Sequence, residues 1–390
     1  MSSIKLKHSG GNGVIISAPS TNPSSDKTIT LPGDGSGTFA TKDSANSLQN
    51  VTGINGGQLG NRNLIINGAM QVAQRGTSFN QAGDGSYTLD RFAAFRNGAG
   101  IMDIEQSTTV PPGEGFKKSL KCTVDTADSS LGGADFGGLF YKIEGQDINR
   151  FEFGSSSAKQ FTLSFFVRSN ITGTYSVAFR NGSANRYLVK EYTISSANTW
   201  QKITITDTAD LTGTWASGNT TGLQINWCLW EGGFSAAPNT WGSNNVIGST
   251  NNVNWVATVG NTFYLTGVQL EVGSATDFEH RSFAQELALC QRYCVVASRL
   301  AVMSNTYAGY LSVCSRPNPV PMRAAPSLSM SGTITFNPFF AGGSYTSSNT
   351  PYLQASVNDN FIINLQGFGS TPTNVFGDVS NATITMSAEL

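Results

Sequence analysis

Charge is scarce in this chain. Only 13% of its 390 residues are charged, and the formal net charge is -1. Nucleic-acid binders carry a basic face for phosphates, and docking on anionic lipid needs a basic patch. Neither nucleic acid nor a membrane surface is therefore an expected partner. Histidine is nearly absent: His8 and His280 stand far apart, and no CxxC or HxxxH spacing occurs. A zinc site is not expected, and neither a metal nor a cofactor is predicted. No Ser-His-Asp order, nucleophile elbow or Walker phosphate loop is present. No apolar run approaches the ~20 residues of a membrane span. Met1-Ser-Ser-Ile-Lys-Leu-Lys7 lacks a signal-peptide core, so a secretory route is not expected. The cysteines number five (Cys122, Cys228, Cys290, Cys294, Cys314). The close pair, Cys290 and Cys294, is four residues apart on a predicted helix, a poor geometry for a disulfide. All five read as small apolar core residues, which fits assembly in a reducing cytoplasm.

What is plentiful is glycine, at 43 residues, with Asn, Ser and Thr filling most remaining polar positions. Many turns and an uncharged polar surface suit an all-β virion or extracellular protein better than a cytosolic enzyme. The length allows two or three domains and a sizeable core.

Four segments are predicted. Residues 1–60 form a module of thin hairpins and a neck. Ile4-Lys-Leu-Lys7, Val14-Ile-Ile-Ser17 and Thr28-Ile-Thr-Leu31 read as short strands, and Asp43 to Gly60 as a polar linker. Hairpins this thin need neighbouring copies or a partner surface to be stable. Residues 61–280 alternate apolar and polar positions in at least eight strands, the pattern of a two-sheet jelly-roll sandwich. These include Leu64–Ile66, Leu89–Phe95, Gln160–Arg168, Gly222–Trp227 and Phe263–Leu270. Residues 281–301 predict one amphipathic helix. Ser282 and Gln285 fit a capping box, and Phe283, Leu287, Cys290, Cys294, Ala297 and Ala301 form an apolar stripe that is also a heptad seam. That seam would either meet copies of itself or pack on its own sheet. Residues 302–390 predict a small C-terminal β domain after the proline-rich Arg316–Pro326.

Three stretches then resemble tail-fibre proteins of tailed bacteriophages, particularly those of cyanobacteria and other aquatic bacteria. They are Asn63–Phe79 (NLIINGAMQVAQRGTSF) with Tyr87–Phe92, Gly267–Tyr293 around the strand-to-helix hinge, and Pro319-Val-Pro-Met-Arg-Ala-Ala-Pro326. The N-terminal hairpin sequence, Ile4–Gly13 to Thr30–Pro32, is similar to the opening of such fibres. The resemblance implies a homotrimer in the virion tail, fixed to tail or baseplate proteins through its N-terminus. It implies a carbohydrate-binding-like jelly roll and a distal tip that meets host surface polysaccharide.

Sugar recognition uses exposed aromatic faces flanked by amides and hydroxyls. Trp215, Trp241 and Trp255, in Gly/Asn/Ser-rich loops, are candidates, or else plugs over the end of the sandwich. Trp227 and Trp230 read as core. In the C-terminal segment the loop Phe339–Thr346 with Tyr345, and Tyr352 and Phe368, would form a receptor tip or pack between chains. Asp84, Asp90, Glu144 and Asp147 would have to supply the carboxylate pair of a glycoside hydrolase, but nothing in their spacing selects them. The expectation is a non-enzymatic, trimeric tail fibre that adsorbs to host polysaccharide. The alternatives are a depolymerase tailspike and an adaptor that holds other fibres.

Overall fold

In the computed structural model the residues described are 3–7, 13–17, 41–42, 48–49, 60–298, 300–304, 310–312, 316–317, 320–340, 342–349, 352–357, 360–368 and 371–390. The predicted strand at Thr28–Leu31 and Cys314 lie outside them. The chain forms two compact units, Met1–Thr52 and Gly53–Leu390. In the first, Ser3–Lys7 pairs antiparallel with Gly13–Ser17, as the alternation predicts. Thr41–Lys42 pairs with Leu48–Gln49, so the expected linker contributes one short strand.

The second unit is mainly β, and its larger part is a jelly-roll-like sandwich. Its strands are β1 (Ser78–Phe79), β2 (Phe92–Asn97), β3 (Ile101–Ser107), β4 (Ser119–Thr126), β5 (Phe136–Glu144), β6 (Gln160–Ser169), β7 (Gly173–Asn181), β8 (Tyr187–Ile194), β9 (Gln201–Thr208), β10 (Thr221–Glu231) and β11 (Thr262–Val272). One sheet has the order β9-β6-β11-β4-β3-β1 and the other β8-β7-β10-β5-β2. All these pairings are antiparallel. Strand β6 shows why the chain folds this way. Phe161, Leu163, Phe165 and Val167 recur every second residue and enter the core. Period two places them all on one face. Opposite them, Phe179, Leu223, Ile225 and Trp227 come from the facing sheet. A bulge lies between Ser164 and Phe166 where β6 meets β11. There Gly267 takes φ +62, and a Cβ would sit 2.6 Å from Phe116 and 2.9 Å from Phe166. Only glycine fits both the conformation and the space.

Several expectations need correcting. Leu64–Ile66 is not a strand: Leu64 and Ile65 are irregular chain, held by the bond from Leu64 N to Leu270 O at 2.9 Å, and Ile66 opens a turn. In the Leu89–Phe95 segment the strand begins only at Phe92. The helix, α1, covers Phe283–Gln291 and not 281–301. Its predicted capping box is present, with Gln285 N donating to Ser282 Oγ and Ser282 N to Gln285 Oε1. After a turn, Cys294–Ala297 becomes β12 and pairs with the long strand near the chain end. The pair Val295-Val296 suits the switch, which the pairing with that distant strand decides. β-Branched residues lose rotamer freedom in a helix and pack well on a sheet. The heptad seam therefore does not exist as one helical stripe. Cys290, Cys294 and Ala297 are buried within the chain, and Leu287 is half-buried.

The C-terminal segment forms a sheet built around Phe376–Ser387 (β14), flanked by Ser327–Pro338 (β13) on one side and by β12 and Leu300–Ser304 on the other. Two strands read separately from sequence, 327–330 and 333–336, are one strand with an irregularity between Gly332 and Thr335. This sheet has its own core, including Val295, Ile334, Phe336, Leu365 and Ile384. It nevertheless belongs to the same compact unit as the sandwich.

The stretches that resemble fibre proteins meet in space. Asn63 donates from Nδ2 to Val268 O at 3.1 Å and accepts from Leu270 N at 3.1 Å. Asn63 N donates to Glu279 Oε2, and Asn67 N to Glu286 Oε2. Arg281 donates to the carbonyls of Asn63 and Ile65 and pairs with Glu286. Gln74 joins Asp90 to Cys294 O. These residues seat the helix on the sandwich and satisfy polar groups that burial would otherwise leave unpaired.

Candidate functional site

Paired residues on neighbouring strands point to the same side of a sheet, so registers across a sheet define rows. On the outer face of the five-stranded sheet one row runs Tyr187, Arg180, Gln224, Lys142 across β8, β7, β10 and β5. The next row runs Val189, Ala178, Asn226, Phe140, Ala93. The third includes Cys228, Gly138 and Phe95. The loop after β10 folds back over part of this face. It packs Phe234, Val246 and Ile247 against the two apolar clusters of the sheet.

Between loop and sheet lies a cavity of about 450 Å³. Small-ligand clefts span about 300–1,000 Å³. One wall is aromatic. Phe136 meets Phe234 edge-on at 5.2 Å, and Phe95 lies 5.9 Å from Phe136 and 6.5 Å from Phe140. The other side is polar, with Lys142, Arg180, Gln224 and Asn245. Arg180 is only 8% exposed. It donates to Asn245 Oδ1, while its Nε has no partner. Burial lowers its pKa to about 10, so it is a cation at neutral pH. Lys142 Nζ donates to Leu390 O at 2.9 Å and stands 5.1 Å over the Phe140 ring. Burial, then the charges of Arg180 and Arg91, lower its pKa. Asn226 is fully buried, and its Nδ2 also lacks a partner. Asp84 lines the exposed rim and accepts the Arg96 backbone N–H at 3.1 Å.

The predicted sugar-binding aromatics are not here. Trp215 and Trp241 do come together at another edge of the sandwich. Trp215 stacks on Phe153 at 4.2 Å, and Trp241 stands edge-on to Trp215 at 5.7 Å. Both are half-buried against the main core, and their indole N–H groups donate to Thr212 O and Thr208 O. The plug reading fits this pair. Trp255 is fully buried and stacks on Trp230 at 6.2 Å, so it cannot face a ligand. Its loop closes over the core, where so large an apolar ring gains most from burial. Trp227 and Trp230 are core, as expected, and Cys122, Cys228, Cys290 and Cys294 are free and buried.

In the C-terminal sheet Phe368 is 4% exposed and belongs to the core, which removes it as a tip residue. Tyr345 is half-buried, 6.3 Å from Phe336. The Tyr352 side chain lies outside the described residues. The exposed rings are instead Phe339 (60%), Phe340 (90%) and Phe376 (55%). They gather where Phe339 N donates to Phe376 O at 2.9 Å.

The acids do not converge. Asp90 is buried with Gln74 on both carboxylate oxygens. Glu144 is buried under Arg292 and Tyr293. Asp147 is exposed, and of the four only Asp84 borders the groove. A second cavity, of about 610 Å³, flanks α1 and is lined by Ala288, Leu289, Val320 and Pro321 among others. Phe283 (54%) and Leu289 (37%) are exposed on that helix.

Sequence reading missed the groove because its residues come from separate strands. Lys142, Arg180 and Gln224 sit on outward positions of alternating strands, which was the one available signal.

No protein-family model and no curated protein matches the chain. Among solved structures, the enzymatically active domain of tailspike protein 4 of bacteriophage CBA120 is similar at 13% identity and a TM-score of 0.30. That match covers 54% of this chain and 21% of the other, so the chain spans about a fifth of that protein's length. A carbohydrate-binding module of family 4 is similar at 13% identity and a TM-score of 0.29, covering 53% of this chain and 97% of the module. The module TmCBM61, solved with β-1,4-galactotriose, is similar at 8% identity and a TM-score of 0.27, over 54% and 99%.

Proposed function

We propose that this chain is a receptor-binding fibre protein of a tailed phage, and that it adsorbs to host surface polysaccharide through the groove of the five-stranded sheet. The observation that carries this reading is a cleft with phenyl rings on one side and amide and cationic donors on the other. Phenyl faces pack on the apolar face of a pyranose, and the donors bond its hydroxyls. The resemblance of Asn63–Phe79 and Gly267–Tyr293 to tail fibres supports the phage assignment. A homotrimer attached through the N-terminal hairpins is part of this proposal. Phe283 and Leu289, exposed on α1, are apolar side chains that a partner chain would cover. Polysaccharide contacts of single groove sites are weak, and three linked sites raise avidity by ~10²–10⁴. The role is adhesive rather than enzymatic.

Binding of purified protein to host polysaccharide tests the reading. Phe136→Ala and Phe234→Ala should each weaken binding at least tenfold with folding intact. Unchanged binding in both would place the receptor site elsewhere. A second reading rests on Phe339, Phe340 and Phe376, whose exposure suits a C-terminal tip. It predicts loss of binding in Phe340→Ala and none in Phe136→Ala. Sizing the polysaccharide after incubation reads out depolymerase activity as shortened chains.

A further inference from the structure

Arg180, Gln224 and Lys142 occupy one row on three adjacent strands, with the amide between two cations. Two strand spacings separate the cation-bearing backbones by about 10 Å. Among the described residues Arg180 has no carboxylate partner and bonds an amide oxygen, while Lys142 bonds the O atom of Leu390, the last residue of this sequence. Elsewhere among the described residues the buried cation Arg91 pairs with Glu389, and the half-buried Arg292 pairs with the buried Glu144. Two like charges held on a desolvated sheet face repel and cost stability. Such an arrangement is worth its cost where an anion completes it. The acid on the groove, Asp84, stands at the exposed rim, where water screens it.

Resting on the glycan reading of the same groove, we infer that its ligand is an acidic polysaccharide whose sugar carries a carboxylate. The carboxylate lies over Gln224 between Arg180 and Lys142. The sugar ring lies against Phe136 and Phe234. A planar carboxylate matches the guanidinium fork, and charge-assisted hydrogen bonds are about twice as strong as neutral ones. The phenyl wall favours a ring-borne anion over a free phosphate, which has no apolar face to offer it.

The test uses the full chain and three probes: oligogalacturonate, the same oligosaccharide after chemical reduction of its carboxyl groups, and dextran sulfate. Titration calorimetry at pH 7 should give oligogalacturonate at least tenfold tighter binding than the reduced form. Arg180→Gln and Lys142→Met should abolish that preference while leaving circular dichroism unchanged. Affinity should fall as pH drops below about 4, where a carboxylate is protonated, while Arg180 and Lys142 stay charged. Equal binding of native and reduced probes, both lost in Phe136→Ala, would overturn the acid preference and leave the groove as a glycan site. Dextran sulfate binding as tightly as oligogalacturonate would overturn the carboxylate in favour of any anion. No binding by any probe would overturn the inference and remove support from the groove reading together.

Discussion

Replacing Glu389 by Gln should destabilise the larger unit by about 3 kcal/mol or more. Glu389, 4% exposed in its side chain, pairs with Arg91, which is 1% exposed, and with Arg75 at 3.2 Å. The Arg91 guanidinium also lies 3.5 Å over the Tyr293 ring and donates to Lys142 O, while its Nε has no partner. Neutralising Glu389 leaves a desolvated cation without its counter-charge. Breaking one side of a buried pair costs ~3–5 kcal/mol, against ~0–1 kcal/mol for an exposed pair. Gln can still accept one hydrogen bond, which favours the lower end. At roughly 2–4 °C per kcal/mol for a unit of this scale, the melting temperature should fall on the order of 10 °C by calorimetry. Hydrogen exchange in Phe376–Ser387 should accelerate, because Glu389 clamps the end of that strand to the sandwich. The double variant Arg91→Met with Glu389→Leu should be milder than Glu389→Gln alone, since the fully buried Arg91 cation is then removed together with its counter-charge. A loss under about 1 kcal/mol for the single variant, or a double variant worse than the single, would refute the reasoning. The same clamp has a practical consequence. Truncating the chain after α1 would strip Glu389 and Leu390 from Arg91, Tyr87 and Lys142. Point substitutions are therefore the cleaner way to locate the receptor site.

Other outcomes follow from particular contacts. Gly137→Ala should cost about 1–3 kcal/mol by overpacking, read from urea unfolding, because its Cβ would sit 2.0 Å from the Trp230 ring. Ser282→Ala should lose the capping box and about 1 kcal/mol of helix stability, seen as faster exchange at the first turn of α1. Burial pushes Glu144 up, but the hydrogen bonds from Arg292 and Tyr293 and the charges of Arg292 and Arg323 outweigh it, so its folded pKa lies below the ordinary 4.5. A depressed carboxylate contributes stability that is present above the unfolded value and is lost as pH falls through the folded one. Urea midpoints should therefore drop below about pH 4.5, and Glu144→Gln should remove that part of the slope. Under the trimer proposal, native mass spectrometry should give three times the chain mass, and Phe283→Asp with Leu289→Asp should yield single chains.

Much of the fold was legible because strand periodicity is local. Alternation in Gln160–Arg168 and Phe263–Leu270 located β6 and β11 within two residues, and the Ser282/Gln285 pair located the start of α1. The end of that helix was not legible. Phe283, Leu287, Cys290, Cys294 and Ala297 keep helical spacing, yet the last two are claimed by pairing with a strand nearly a hundred residues on. Long-range partners decide such cases, since propensity differences of a few tenths of a kcal/mol are easily overridden.

Local patterning by itself determined the β class, the sandwich strands, the capped helix and the buried tryptophans of β10, because each depends on neighbours a few residues away. The tertiary structure alone decided which rings stay in water and which cations share a row. It sent Trp255 and Phe368 inward, left Phe340 outside, and set Arg180 and Lys142 on either side of Gln224. The physical reason is register. Side-chain order along a strand is written in the chain, but the partner across the sheet is fixed only when the strands pair.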